Sequence, residues 1–172
     1  MPDSLQCERH IFMLIRSYLH ADLGRLTELA IDTFGPFYEK SFRPLVGEVI
    51  FANQHGNWRD DYRKQVAELH DPDNHKYVAV VDEGGVLTGY VAWNVDPARR
   101  NGSITILAVS AEHRRASLGT ALCEHAFDAM RQQGAEVVEI GTGGDDFHAP
   151  ARALYESLGC VELPVAVYYR EL

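Results

Sequence analysis

Between Ile106 and Leu122 the chain reads Ile-Leu-Ala-Val-Ser-Ala-Glu-His-Arg-Arg-Ala-Ser-Leu-Gly-Thr-Ala-Leu, an apolar run that crosses a short polar turn and enters helix-forming sequence at once. A buried strand that feeds a helix through so few residues directs the chain towards an α/β architecture. Arg114 and Arg115 stand at the turn, and the small residues Ala116, Ser117 and Gly119 let backbone N–H groups come close to a ligand. The first N–H groups of a helix lack intrahelical partners and lie at the positive end of its dipole, so a turn of this kind suits an anion. Guanidinium groups add charge where a pyrophosphate would lie. A phosphate-containing ligand and an ordinary strand-to-helix turn both remain compatible with these residues.

The flanking sequence supplies the rest of an α/β domain. At 172 residues the chain is one domain by the rough rule of ~150 residues each, with residues 1–12 read as an extension and 13–172 as the fold proper. Ile11–Ile15 reads as a strand, and Ala21–Thr33 as a helix that Gly35-Pro36 ends. Phe37–His70 reads as helical but broken at Gly56-Asn57, with Phe37, Tyr38, Phe42, Phe51, Trp58 and Tyr62 expected as core packing or a binding wall. Lys76–Val81 and Val86–Val95 form a hairpin around Asp82-Glu-Gly-Gly85. Then follow the strand Ser103–Val109, the helix Ser117–Gln133, the strand Val137–Gly141, the helix Pro150–Leu158 and a last strand over Val165–Tyr169. The expected fold class is therefore α/β around one mixed sheet.

Composition removes several classes of function. With 46% hydrophobic and 24% charged residues, the chain is neither disordered nor collagen-like. Its formal charge of −9 opposes phosphodiester backbones, so no nucleic-acid partner is expected; it suits a cationic partner, or simply solubility. Cys7, Cys123 and Cys160 are too few and too scattered for a disulfide framework and fit a reducing cytoplasm. No stretch has the length of a membrane span and the first residues do not form a signal peptide, so a cytoplasmic protein without a membrane partner is expected. Gly141-Thr-Gly-Gly lacks the third glycine of a dinucleotide fingerprint, and the histidines show no HExxH spacing, so no metal is expected. Asp145 and Asp146 are read either as facing a cationic substrate or as a solvated turn.

Two blocks sharpen the reading. Arg114-x-x-Ser117-x-Gly119-x-Ala121 resembles the Arg/Gln-x-x-Gly-x-Gly/Ala signature of the GNAT superfamily of acyl-CoA-dependent N-acyltransferases, with serine in place of the first glycine. His148-Ala-Pro-Ala-Arg-Ala-Leu-Tyr-Glu-Ser-Leu-Gly159-Cys is similar to the family's Asn-x-x-Ala-x-x-Leu-Tyr-x-x-x-Gly-Phe block, with His148 for asparagine and Cys160 for phenylalanine. The resemblance runs roughly from Lys76 to the last residue, and the two blocks stand in the family's order.

The resemblance implies a single GNAT-like domain, a mixed central sheet with helices on both faces and a central pair of parallel strands that splay apart. Acetyl-CoA would be the acyl donor, acting without a metal. Its pyrophosphate would lie on Arg114, Arg115, Ala116, Ser117, Leu118, Gly119 and Thr120, and its pantetheine arm along Leu107, Ala108 and Val109, with His148 and Ala151 nearby. Tyr155 would protonate the departing thiolate, the alternative being a tyrosine packed on the sheet. The strand before the loop has no glutamate to act as base, so Glu139 is the first substitute, ahead of Asp96, Asp146 and His148; a solvated strand position is its alternative. The expected activity is acetyl transfer to an amine by direct attack. The small-molecule acceptor is expected to be a polycation such as an aminoglycoside-type antibiotic, because Phe34–Tyr62 carries Glu39, Glu48, Asp60 and Asp61. A peptide or protein amine is the enzymatic alternative and a non-catalytic acyl-CoA-binding module the rival; assembly into a homodimer stays open.

Overall fold

Val78, Ala79, Val80 and Val81 are all buried, which a strand achieves only when both faces of its sheet are covered. The computed structural model describes residues 13–114 and 117–172, and this strand lies inside its sheet. The strands are β1 (Met13–Ser17), β2 (Lys76–Glu83), β3 (Val86–Asp96), β4 (Asn101–Val109) and β5 (Val137–Ile140), in the spatial order β1-β2-β3-β4-β5. Pairing is antiparallel from β1 to β4 and parallel between β4 and β5. The helices are α1 (Leu23–Pro36), α2 (Arg43–Val46), α3 (Glu48–His55), α4 (Trp58–Ala67), α5 (Leu118–Gln132) and α6 (Ala149–Ser157). The expected α/β class with one mixed sheet is what the chain adopts.

Each face of the sheet carries its own core. On one side Leu26, Leu29 and Ala30 of α1, with Val66 of α4, pack on Val78, Val80, Tyr90, Ala92, Ile106 and Ala108. On the other, Leu122, Cys123, Ala126, Phe127 and Met130 of α5 cover Ala79, Val81, Val91, Trp93 and Ile104, joined by Leu154 and Tyr155 of α6. Two strands change face part-way. Ala92 pairs with Ile106 but Trp93 with Ile104, which leaves Thr105 as an inserted residue; Val81 and Asp82 likewise oppose Gly89 and Leu87 across Thr88. Across Thr105, Ile104 points to α5 while Ile106 points to α1.

Three expectations change. Gly35-Pro36 does not end the helical path. Pro36 closes α1, but its missing N–H shifts the hydrogen bonding into a π turn over Phe37–Phe42, which runs on into α2. Val165–Tyr169, expected as a strand, pairs with nothing among the described residues and lies exposed; its apolar alternation is real, but no described sheet edge meets it. The first strand runs from Met13, not Ile11; residues 1–12, including the proposed extension, lie outside the described residues.

Arg16 of β1 ties the entry of α1 to the sheet. Its guanidinium donates to both carboxylate oxygens of Asp22, at 2.9 and 3.1 Å, and to Asp82 at 3.0 Å. Asp22 is 6% exposed and also accepts from the Leu19 N–H at 2.8 Å. The Arg16 hydrogen bond, opposed by burial, holds its carboxyl below the ordinary carboxylate range. A carboxyl depressed in the folded state adds stability that is complete above its unfolded value of ~3.9 and disappears as pH falls through the folded value. Asp22→Asn is therefore expected to cost about 1.5–3 kcal/mol in urea unfolding at pH 7. The difference from the parent should shrink steadily as the same titration is repeated towards pH 3.

Candidate active site

β5 pairs with β4 only over four rungs, from Asn101 with Val137 to Ile104 with Ile140. β5 then ends, while β4 continues through Thr105 to Val109. The edge of β4 carrying Leu107, Ala108 and Val109 thus faces a gap rather than a strand. The inserted Thr105 sits where the two strands part. An unpaired strand edge offers N–H and C=O groups to an extended ligand.

The gap opens onto the start of α5. Leu118, Gly119 and Thr120 form its first turn, and among the described residues no side chain caps their N–H groups, so the positive end of the helix suits an anion. Ser117 precedes them with φ +61°, a left-handed conformation that disfavours a side chain. The signature position held by serine thus requires the backbone that glycine adopts freely. Gly119 serves a second purpose: a Cβ there would stand 3.0 Å from Cδ2 of Leu154, so its absence lets α6 close on α5. Arg114 is exposed, and its Nε donates to the Val109 carbonyl at 3.1 Å, folding the side chain over the end of β4. Arg115 and Ala116 lie outside the described residues.

A second loop, between β5 and α6, is stapled from both ends. Asp145 accepts from the backbone N–H groups of Phe147 and His148 at 2.9 and 3.3 Å and meets His148 Nδ1 at 2.6 Å. Burial opposes ionisation of Asp145, but the His148 hydrogen bond and charge outweigh it, and its carboxyl is held below the ordinary range. Arg152 donates to the carbonyls of Gly143 and Asp145 from the other side. Asp145 is a partly exposed local cap of this loop, a role that an aspartate two residues before the first capped N–H signals in sequence. His148 and Phe147 contact Phe37 with ring centroids at 4.8 and 5.7 Å, joining this loop to the π turn. Sequence reasoning missed that contact, since nothing local links residues so far apart.

Tyr155 lies half-buried against the α5 side of the sheet, among the residues packed with Cys123. Burial, then proximity to Cys123 and Cys160, pushes its phenol well above the usual value. Cys123 is itself pushed up to about 12 by burial and stays a neutral thiol. Ala151 is half-buried in the first turns of α6. Glu139 is exposed on β5 opposite Ser103, within the paired half of the two strands rather than where they separate.

The aromatic residues of 34–62 serve both expected roles. Phe42, Phe51 and Trp58 are buried core, while Tyr38 stacks on Trp58 at 5.1 Å and stays partly exposed beside Phe37 and Tyr62. The acids of this segment are largely spent inside the protein. Glu39 accepts from Trp58 Nε1 and Arg43, each at 3.0 Å, Glu48 holds Arg43 in a two-pronged pair at 2.7 Å, and Asp60 pairs with Arg63. Of the four, Asp61 alone makes no ion pair among the described residues.

Comparison with known proteins agrees with this geometry. The model of the acetyltransferase (GNAT) family matches residues 29–160. A mycothiol acetyltransferase of Beutenbergia cavernae is 38% identical over 89 residues, which is 52% of this chain. The chain spans only 29% of that curated relative's length. Among solved structures, the aminoglycoside N-acetyltransferase AAC(6')-Iy in complex with CoA superposes with a TM-score of 0.68 at 14% identity, covering 95% of this chain and 97% of that one. The ribosomal-protein-S18-alanine N-acetyltransferase of Escherichia coli gives 0.59 at 20% identity, covering 86% and 77%. At such identities the superpositions speak for the fold, which they share.

The left-handed backbone at residue 117 gives a direct test. Ser117→Gly is expected to relieve about 1 kcal/mol of strain and raise Tm by roughly 2–4 °C, read by thermal unfolding of the two proteins in one buffer.

Proposed function

The chain belongs to the acetyltransferase (GNAT) family, and we propose that it is an N-acetyltransferase that moves an acetyl group from acetyl-CoA to the amine of a small cationic acceptor. The observation that carries the reading is the coincidence of the free β4 edge beyond Ile104 with the uncapped N-terminus of α5. The first suits an extended pantetheine arm, and the second, with Arg114, suits its pyrophosphate. Arg115 and Ala116 complete that loop in the family's signature.

Acetyl-CoA supplies the activated acyl group. The amine nitrogen bonds to the acetyl carbon, the carbon–sulfur bond breaks, and one proton must leave the nitrogen while another reaches the sulfur. Backbone N–H groups along Leu107–Val109 would stabilise the charge that develops on the carbonyl oxygen. Tyr155 would give the sulfur its proton; its raised pKa keeps it protonated, and transfer from a phenol to a thiolate of ~8.5 depends on close positioning. For the proton on nitrogen, Glu139 is one acceptor and His148 a second. His148 Nδ1 lies 2.6 Å from a carboxylate oxygen of Asp145, and in the tautomer that donates from Nδ1 its Nε2 is the nitrogen left to take a proton.

The choice of acceptor rests on charge and aromatic lining. The net charge of −9, Asp61 and the exposed part of Tyr38 favour a cation. Because Glu39, Glu48 and Asp60 are already paired with arginines, the pull on a polycation is weaker than their number suggests. A peptide or protein α-amine is therefore the second reading. The free thiols Cys123 and Cys160 fit work in the cytoplasm.

Release of CoA thiol from acetyl-CoA over a panel of aminoglycosides, polyamines, amino acids and N-terminal peptides tests both readings. Saturable release with aminoglycosides or polyamines is the expected result. Release with peptides alone favours the second reading, and CoA binding without release from any amine favours a non-catalytic binding module. Given turnover, Tyr155→Phe should lower kcat by about 100-fold or more with unchanged affinity for acetyl-CoA. Arg114→Ala should weaken CoA binding about tenfold in isothermal titration, with kcat largely preserved at saturation.

A further inference from the structure

His55 is a half-buried histidine whose ring the fold leaves without a polar partner. Among the described residues His70, His113 and His148 are half-buried too, and each of their rings holds a hydrogen bond: with the Val78 N–H, the Ser110 hydroxyl and the Asp145 carboxylate. The His55 ring holds none among them, although a polar group kept partly from water ordinarily finds a partner. It closes α3 and packs between two aromatic side chains, with ring centroids 5.0 Å from Tyr38 and 5.0 Å from Phe42. Burial pulls its pKa down, so at neutral pH the imidazole is uncharged and one ring nitrogen offers a lone pair.

Asp61 supplies the negative charge that reaches this ring. It stands exposed in the first turn of α4 and opposes the effect of burial on His55. It is also the carboxylate of this segment that no arginine takes among the described residues. Rings of the same aromatic cluster show what such a surface attracts. Arg59 lies over Trp58 at 4.2 Å and Arg43 over Phe51 at 4.7 Å, so two of these rings carry guanidinium groups of the chain itself. Among the described residues no cation of the chain lies over Tyr38 or Phe42. A lone-pair nitrogen, an unpaired carboxylate and aromatic rings together suit an ammonium group.

Phe37 links this group to the gap. Its ring meets His148, on the loop after β5, at 4.8 Å, and meets Tyr38 and Phe42 at 5.2 and 5.9 Å. One aromatic side chain thus separates the loop beside the gap from the surroundings of His55, a distance that a short carbon chain spans.

We propose that His55, Asp61, Tyr38 and Phe42 form a subsite for a second, non-reacting ammonium group of the acceptor, which makes the substrate a diamine or polyamine. The proposal rests on the acetyl-transfer reading and narrows its acceptor. A monoamine leaves the subsite empty; a diamine fills it and brings its other nitrogen to the gap. The titratable groups beside His55 are Tyr38 of the π turn and Asp61 of α4. Protonation of His55 sets a positive charge against the bound ammonium, so the preference for diamines fades as pH falls.

Isothermal titration of the protein with CoA bound reads the subsite without turnover. The probes are α,ω-diamines from diaminopropane to diaminooctane, each compared with the n-alkylamine of equal length. One chain length is expected to bind best, about tenfold or more tighter than its monoamine. His55→Phe keeps a ring between Tyr38 and Phe42, and Asp61→Asn changes an exposed position; each should bring that ratio towards one. Titration of the parent at acid pH should do the same. Thiol release with the same amines is the second measurement, and the preference should appear there in KM rather than in kcat. A parent that binds monoamines and diamines alike overturns the proposal, and so does a ratio that both variants keep. Diamine binding in the expected pattern without thiol release from any amine supports the subsite and removes the acetyl-transfer reading instead.

Discussion

One inserted residue in β4 controls how the rest of this structure is used. Thr105 is inserted at the point where the pairing that joins Asn101–Ile104 to Val137–Ile140 stops and the sheet opens. The extra residue turns the second half of β4 over, so that Ile106 and Ala108 seal the α1 core while Ile104 stays with α5. It also raises the local twist, which draws the strand away from its parallel neighbour. The cost of the interruption is borne by two separate cores that hold β4 from opposite faces.

The loop after β4 inherits its position from this arrangement and from the matching insertion at Thr88. The Ser110 N–H donates to the Thr88 carbonyl at 2.8 Å, and the Ser110 hydroxyl meets His113 Nδ1 at 2.7 Å. The turn is thereby anchored to β3 before the backbone reaches its left-handed step at Ser117. α5 then starts with its free N–H groups beside the gap, and α6 closes on that start through the space that Gly119 leaves. Strand edge, helix terminus and second helix are held to one another by backbone geometry, with few side-chain bonds taking part.

Charge follows a different logic. The segment from α1 to α4 is rich in carboxylates, yet Arg25 pairs with Glu28, Arg43 with Glu39 and Glu48, and Arg63 with Asp60, and Trp58 donates to Glu39. Exposed pairs of this kind contribute little stability. Their larger effect is to cancel local field, so the net charge of the chain overstates what an approaching cation meets near the aromatic wall. The Asp145–His148 pair, by contrast, orients a ring on the loop that follows β5.

By itself the sequence determined the α/β class, nearly every element and the loop that follows β4, because these depend on local periodicity, turn residues and a spaced signature around Arg114, Gly119 and Tyr155. It also marked Ser117 as a departure from the signature, while the left-handed backbone that disfavours serine there was visible only in the structure. Tertiary structure decided which faces the residues of β4 serve. Gly102, Ile104, Ile106 and Ala108 alternate perfectly as letters, and only pairing with β3 reveals that the alternation spans two faces. It decided that Asp145 caps a loop, that Glu39 and Glu48 answer to arginines, and that Phe37 meets His148, all contacts between groups whose separation is set by packing. And it left Val165–Tyr169, strand-like in sequence, without a partner among the described residues, because a strand is completed by a neighbouring edge and not by its own residues.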